Sequence, residues 1–275
     1  MSVFCQDEFA AHGLRPVIAE ANIAFNRQKG ALLSFTVRLI QNLNARLQRF
    51  LPAGHLAEEA CHTEIDVLKE PIGKQDQYAS AFGGVNQFVF HSDGRTTVQR
   101  IFLAADTVQR VEASLFLFYL GGSRSASSIL KEQTSNLDQT KIFETQKAMV
   151  CQVDVGIKLL QDGDLDGFGR LLHEAWLLKK TLASKITSDV IDAYHGKGLE
   201  AGALGGNLAG AGGGGFLLFY SPPRARRFFL TAIASSGGSL LFRIQRLPSD
   251  PRFGRIDHES ERFPSAKLQQ HRWRS

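Results

Sequence analysis

Apolar positions recur along this chain in two rhythms, one near the helical period and one alternating or continuous over short runs, and the order of the two predicts the architecture. From Ser34 to Phe50, the residues Phe35, Val37, Leu39, Ile40, Leu43, Leu47 and Phe50 fall at helical spacing and predict an amphipathic helix packed into the core. His55 to Leu68 predicts a second helix that packs through Leu56, Ala60, Ile65 and Leu68, with Glu58, Glu59, Glu64 and Asp66 spread over other faces and most of them solvated. Pro71-Ile72-Gly73 breaks the pattern, and Lys74 to Tyr78 opens a segment that ends at Gly83-Gly84. Val85 to Phe90, Thr96 to Leu103 and Val111 to Leu120 read as strands, the first two joined through the hairpin signal Asp93-Gly94. Helical spacing returns over Ala126 to Asn136, Phe143 to Gln161, Leu165 to Leu182 and Val190 to Glu200, with Asp164 as a cap for the third. Phe216 to Tyr220 is a buried strand, Pro222-Pro223 leads into a helix or turn through Ala234, and Leu240 to Ile244 closes the pattern. Helices and strands alternate irregularly, which predicts α+β layering rather than a doubly wound parallel sheet.

Between the helix ending near Glu200 and the strand at Phe216, glycine supplies eight of the fourteen residues from Gly202 to Gly215. A flexible linker has that composition. The anchoring by a helix on one side and an apolar strand on the other favours an ordered loop, where glycine permits φ > 0 and close approach of another backbone or a phosphate.

The length of 275 residues is compatible with two domains, and 43% hydrophobic with 21% charged residues is a globular balance. No apolar run is long enough for a membrane span, and Asp7 and Glu8 near the start argue against a secretory leader, so the expected location is the cytoplasm. Cys5, Cys61 and Cys151 are too few and too far apart for a disulfide framework or a structural zinc site. Much of the net charge of +5 lies in the stretch from Pro251 to Ser275, which reads as a basic, disordered extension; without interleaved aromatics it gives little support to nucleic-acid binding. Nothing in the sequence marks an oligomeric state.

Three stretches carry a resemblance. Glu70 to Gly84, reading EPIGKQDQYASAFGG, together with Glu200 to Gly206 and Gly210 to Phe216, resembles the GHMP kinases, and within them the D-glycero-D-manno-heptose 7-phosphate kinase branch. The similarity runs from about Ser34 to Phe242 and includes Tyr119 to Ala126 and His173 to Lys180. It implies a ribosomal protein S5 domain 2-like N-terminal part, incomplete here, and a ferredoxin-like C-terminal domain. The corresponding division is a divergent N-terminus over 1–33, a partial N-terminal domain over 34–120, a C-terminal domain over 121–250 and the tail over 251–275. It also implies ATP-dependent phosphorylation of a sugar phosphate with Mg²⁺.

In that chemistry positioning and charge neutralisation dominate. Asp76 matches the family's catalytic aspartate, which would act as general base on the acceptor hydroxyl; read without the resemblance, it is a helix-capping or turn residue. Glu64, twelve residues earlier, stands near the place of the family's Mg²⁺-holding glutamate, among the ordinary acids Glu58, Glu59 and Asp66. Arg124 and Lys74 correspond to contacts with substrate or phosphate, and Gly205, Gly206, Gly212, Gly213 and Gly214 to the glycine motif beside the site. Two departures stand out. Asn207 occupies a position where relatives often carry lysine, and Asn26 to Val37 has one glycine where the family presents a Pro-x-Gly-Ser-Gly-Leu-Gly-Ser-Ser phosphate loop. Met1 to Phe25 and the end after Phe242 show no likeness, which suggests truncation with altered flanks and leaves an inactive remnant, serving as a binding or scaffold domain, as the alternative to an active kinase.

Overall fold

The computed structural model describes residues 18–23, 33–120, 126–136, 140–235 and 239–243. By its contacts the chain separates into Met1–Gln245 and Arg246–Ser275; the second unit, with the expected basic tail, lies outside the described residues. The first unit is α+β, with two antiparallel sheets. A three-stranded sheet runs in the order β1 (Ile18–Ile23), β2 (Val85–Phe90), β3 (Thr96–Arg100). A four-stranded sheet runs β5 (Gly205–Leu208), β6 (Phe216–Tyr220), β4 (Leu115–Tyr119), β7 (Ser239–Arg243). Among the described residues no helix is long and apolar enough to cross a membrane.

Three helices precede β2: α1 (Leu33–Arg46), α2 (Ala53–Cys61), which continues as a π-helical turn over His62–Val67, and α3 (Gln75–Phe82). Tyr78 and Phe88 are buried with Ala57, Cys61 and Ala79, and Phe82 and Phe90 pack against them. The rings of Tyr78 and Phe90 meet edge to face at 5.5 Å between centroids. Cys61 is a buried free thiol, with burial pushing its pKa up to about 12, so it is held as the protonated thiol.

The larger core fills the other half. α4 (Ala105–Ser114), α5 (Ala126–Ser135), α6 (Thr140–Asp162), α7 (Leu165–Lys179), α8 (Asp189–Glu200) and α9 (Arg226–Ser235) complete the helices. The side chains of β4 and β6 alternate between two clusters: Phe116, Phe118, Leu217 and Phe219 lie in one with Trp176 and Phe229, while Leu115, Leu218 and Tyr220 lie in the other with Phe168 and Leu172. Helix α7 is capped as its sequence predicts, Asp164 accepting from the Gly167 amide at 2.8 Å. Helix α6 joins the two sheets: Val89 of β2 packs on Val153, and Gln87 donates to Asp154 at 3.1 Å.

Several expectations are corrected. Val111 to Leu120 is not one strand: Val111–Ser114 ends α4, where Thr107, Val111 and Ser114 are buried at helical spacing, and the strand begins at Leu115. That strand pairs with β6 and β7, so it belongs to the second sheet and not with β2 and β3. β3 stops at Arg100, three residues short of the expected end. The stripe expected to bury α1 is largely open to solvent at Phe35, Leu39, Leu43 and Leu47; Val37 is the deeply buried residue of that helix, packed with Leu56 and Ala60. Of the acids Glu58, Glu59, Glu64 and Asp66, Glu64 is the one buried. Within the glycine stretch, Gly205–Leu208 is a strand rather than loop. The first sheet also has the strand β1 ahead of α1, which hydrophobic patterning did not single out.

Candidate active site

Helix α3 follows the Pro71-Ile72-Gly73 break, and its first turn presents Asp76 where the helix dipole favours a negative charge. The helix stops at Gly83, whose φ of 58° admits the turn into β2, and Asn86 closes that turn by donating to the Gly83 carbonyl at 2.7 Å. The Asp76 side chain is exposed, and among the described residues it makes no hydrogen bond or ion pair. Burial by surrounding protein nevertheless pushes its pKa up, opposed by the Lys179 ammonium and reinforced by the Glu64 carboxylate. The two observations describe a carboxylate that solvent reaches but protein mass crowds.

Glu64 sits on the π-helical turn, with 3% of its surface exposed. Such turns insert one residue into a helix and redirect side chains, and they are frequent at functional sites. Gln77, one residue beyond Asp76 and fully buried, donates its amide to Glu64 Oε2. Glu64 Oε1 is buried with no partner. A buried carboxylate oxygen left unsatisfied is costly unless an ion or donor completes it, so this oxygen fits a Mg²⁺ ligand. Among the described residues no three His, Cys, Asp or Glu side chains gather into a metal site; Mg²⁺ in kinases needs only one or two carboxylates, because nucleotide phosphates and waters supply the rest. Lys74 is engaged by Glu58 at 3.2 Å, and Tyr78 donates its hydroxyl to the same carboxylate.

The glycine segment is linked to this group through Lys179. Gly205 lies so close to α7 that a Cβ there would stand 2.0 Å from the Gly169 carbonyl oxygen, and a Cβ on Gly206 would meet Phe219 at 2.6 Å. These two glycines serve the contact of β5 with its helix and its neighbouring strand. Gly212 has φ of 114° with Ile186 Cα 2.8 Å from a Cβ position, Gly213 donates to the Ile186 carbonyl at 2.8 Å, and Gly214 has φ of 149°. Lys179 at the end of α7 is 2% exposed and donates to the carbonyls of Leu208 and Gly210, both at 2.7 Å. It thereby ties the glycine segment down while its charge is felt at Asp76. Asn207 is buried, with neither amide atom partnered. His195 stacks on His173 at 5.4 Å and contacts the Gly206 carbonyl at 3.1 Å, with burial lowering its pKa.

The structure therefore gathers Asp76, Glu64, Gln77 and Lys179, and sets Lys74 one step away on Glu58. Arg124 and residues 24–32, which include most of the segment compared with the phosphate loop, lie outside the described residues. Sequence reasoning missed Gln77 and Lys179 as members of this group. Gln77 was visible only as the residue after Asp76, and the signal for Lys179 was its place on the buried face of α7, three residues beyond Trp176.

Comparison with known proteins finds likenesses of sequence and fold. Residues 157–239 match the family model described as GHMP kinases C terminal. The D-glycero-alpha-D-manno-heptose 7-phosphate kinase of Campylobacter jejuni is 26% identical over 164 residues, covering 59% of this chain and 48% of that protein. A crystal structure of a D-glycero-D-manno-heptose 1-phosphate kinase from Bacteroides thetaiotaomicron superposes with TM-score 0.59 at 24% identity, over 75% of this chain and 56% of the other. Streptococcus pneumoniae phosphomevalonate kinase, in complex with phosphomevalonate and AMPPNP, superposes with TM-score 0.62 at 12% identity, over 75% and 65%. The chain thus spans about half the length of the curated relative it matches.

Proposed function

We propose, for a chain that carries a GHMP kinase C-terminal domain within the GHMP kinase fold, that it transfers a phosphoryl group from ATP to a sugar phosphate of the heptose 7-phosphate class. The observation that carries the reading is an Asp76 carboxylate with no hydrogen-bond partner among the described residues, close enough to a buried Glu64 to feel its charge, with Glu64 Oε1 unsatisfied. Asp76 accepts the proton of the acceptor hydroxyl as general base, and the nearby Lys179 ammonium favours its ionised form. Glu64 Oε1 holds Mg²⁺, which when bound neutralises charge on the phosphate oxygens of ATP. Arg124 offers a fork for a phosphate of substrate or nucleotide, and Lys74 joins it on release from Glu58. The positive-φ glycines Gly212, Gly213 and Gly214 shape the glycine segment that Lys179 ties down. An ATP-dependent reaction of this kind agrees with the cytoplasmic location expected from the sequence.

One observation favours a second reading, in which the chain binds its ligands without turnover. Asn207, where relatives often carry lysine, is buried and uncharged with both amide atoms unpartnered, so the glycine segment lacks that cation. The purified chain, incubated with ATP, Mg²⁺ and D-glycero-D-manno-heptose 7-phosphate and followed by ³¹P NMR, separates the two. Formation of ADP and a sugar bisphosphate above the protein-free blank supports the kinase; a folded chain that forms neither supports the binding domain.

A further inference from the structure

Gln77 is the most completely enclosed polar side chain beside the site, with no exposed surface, and its amide nitrogen has one partner, Glu64 Oε2. Its own Oε1 is buried without a partner, so the position does not act as a general polar hub. The backbone of the π-helical turn is held independently of this amide: Leu68 donates to the Thr63 carbonyl and Glu70 to the Glu64 carbonyl, each at 3.0 Å. What Gln77 adds is control of the Glu64 side chain. It secures one carboxylate oxygen and leaves the other free.

The chemical type of the partner matters as much as its place. A lysine or arginine on Glu64 would cancel its charge, whereas a neutral amide orients the carboxylate and leaves the full negative charge available. Of the two lysines placed at the site, Lys74 is held by Glu58 and Lys179 by the carbonyls of Leu208 and Gly210. Carboxylates that ligate metals are themselves hydrogen-bonded by neighbours that fix their orientation.

We infer that Gln77 is a positioning residue that fixes Glu64 through Oε2 so that Oε1 receives a divalent cation of the Mg²⁺ class. The inference rests on the metal role given to Glu64 above. Its test is Mn²⁺ titration of the full chain by EPR, with saturating AMPPNP to supply the phosphate ligands and Mg²⁺ as competitor. The wild type is expected to bind Mn²⁺, with Mg²⁺ displacing it, and Glu64→Gln to lose that binding. Gln77→Leu is expected to weaken Mn²⁺ binding by about 10- to 100-fold and to alter the zero-field splitting of the bound ion. The near-ultraviolet circular dichroism of Gln77→Leu should match wild type. If Gln77→Leu does not fold, Gln77→Asn, one methylene too short to reach Oε2, is expected to give the same loss. No binding by wild type, or wild-type binding by Glu64→Gln, overturns the metal reading and this inference together. Loss in Glu64→Gln with wild-type affinity and spectrum in the folded Gln77 variant overturns the positioning role alone.

Discussion

The glycine segment and the carboxylate group, the two sides of the candidate site, differ in how they satisfy their atoms. On the glycine side, space is the scarce quantity: β5 lies against α7 closely enough that Gly205 and Gly206 admit no side chain, and Lys179 spends two donors on backbone carbonyls. On the carboxylate side, packing leaves polar atoms unfinished. Asp76 has no hydrogen-bond partner among the described residues, and Glu64 Oε1 is buried without one. A fold tolerates such atoms where a ligand completes them. Residues named by one family likeness therefore divide: Gly205 and Gly206 serve packing, and Asp76 and Glu64 serve chemistry in the function proposed above.

The contrast can be broken by substitution. Gly205→Ala is expected to have the largest effect, a loss of about 3 kcal/mol in urea unfolding, because its Cβ would collide with the Gly169 backbone and neither α7 nor β5 can yield cheaply. Unchanged stability would show that the glycine serves something other than that contact. Gly212→Ala follows at about 2 kcal/mol, the cost of an L-residue at φ of 114° against Ile186. Leu43→Ser on the open stripe of α1 should change stability by no more than about 0.5 kcal/mol; a larger loss would mean that the stripe is covered in solution. The smallest effect is a pH dependence. Asp76 has its folded pKa raised above its ordinary value of 3.8, so its ionisation opposes folding as pH rises from there and does so fully above the raised value. Asp76→Asn should therefore match wild type in acid and be the more stable protein at neutral pH, in unfolding curves measured across that range.

Much of this was legible from residue order. Phe216 to Tyr220 coincides with a strand because a continuous apolar run leaves little choice, and Val85 to Phe90 because its β-branched and aromatic residues are bounded by Gly83-Gly84 and the Asp93-Gly94 hairpin signal. Helices α6, α7 and α8 fall close to their expected bounds for the corresponding reason of period. Partnering was less legible. The stripe of Phe35, Leu39, Leu43 and Leu47 has the spacing of a buried face, but spacing does not say whether another element covers it. Leu115–Tyr119 was readable as a strand and its sheet was not, since its neighbours β6 and β7 lie about a hundred residues on. Asp76 and Glu64 were singled out through a family likeness, while the burial of Glu64 depends on a π-helical turn that leaves no mark in periodicity. Lys179 was hidden by its charge, because a lysine is rarely buried unless the chain returns carbonyls to it.

The central claim is that Asp76 is held for chemistry and not for the fold. Its most direct test is the phosphoryl-transfer rate of Asp76→Asn, measured beside its unfolding free energy in the same buffer. Turnover is expected to fall by about 10²–10⁴ while stability at neutral pH stays equal or rises. An active wild type whose Asp76→Asn variant keeps its rate, or loses its stability together with its rate, would contradict the account.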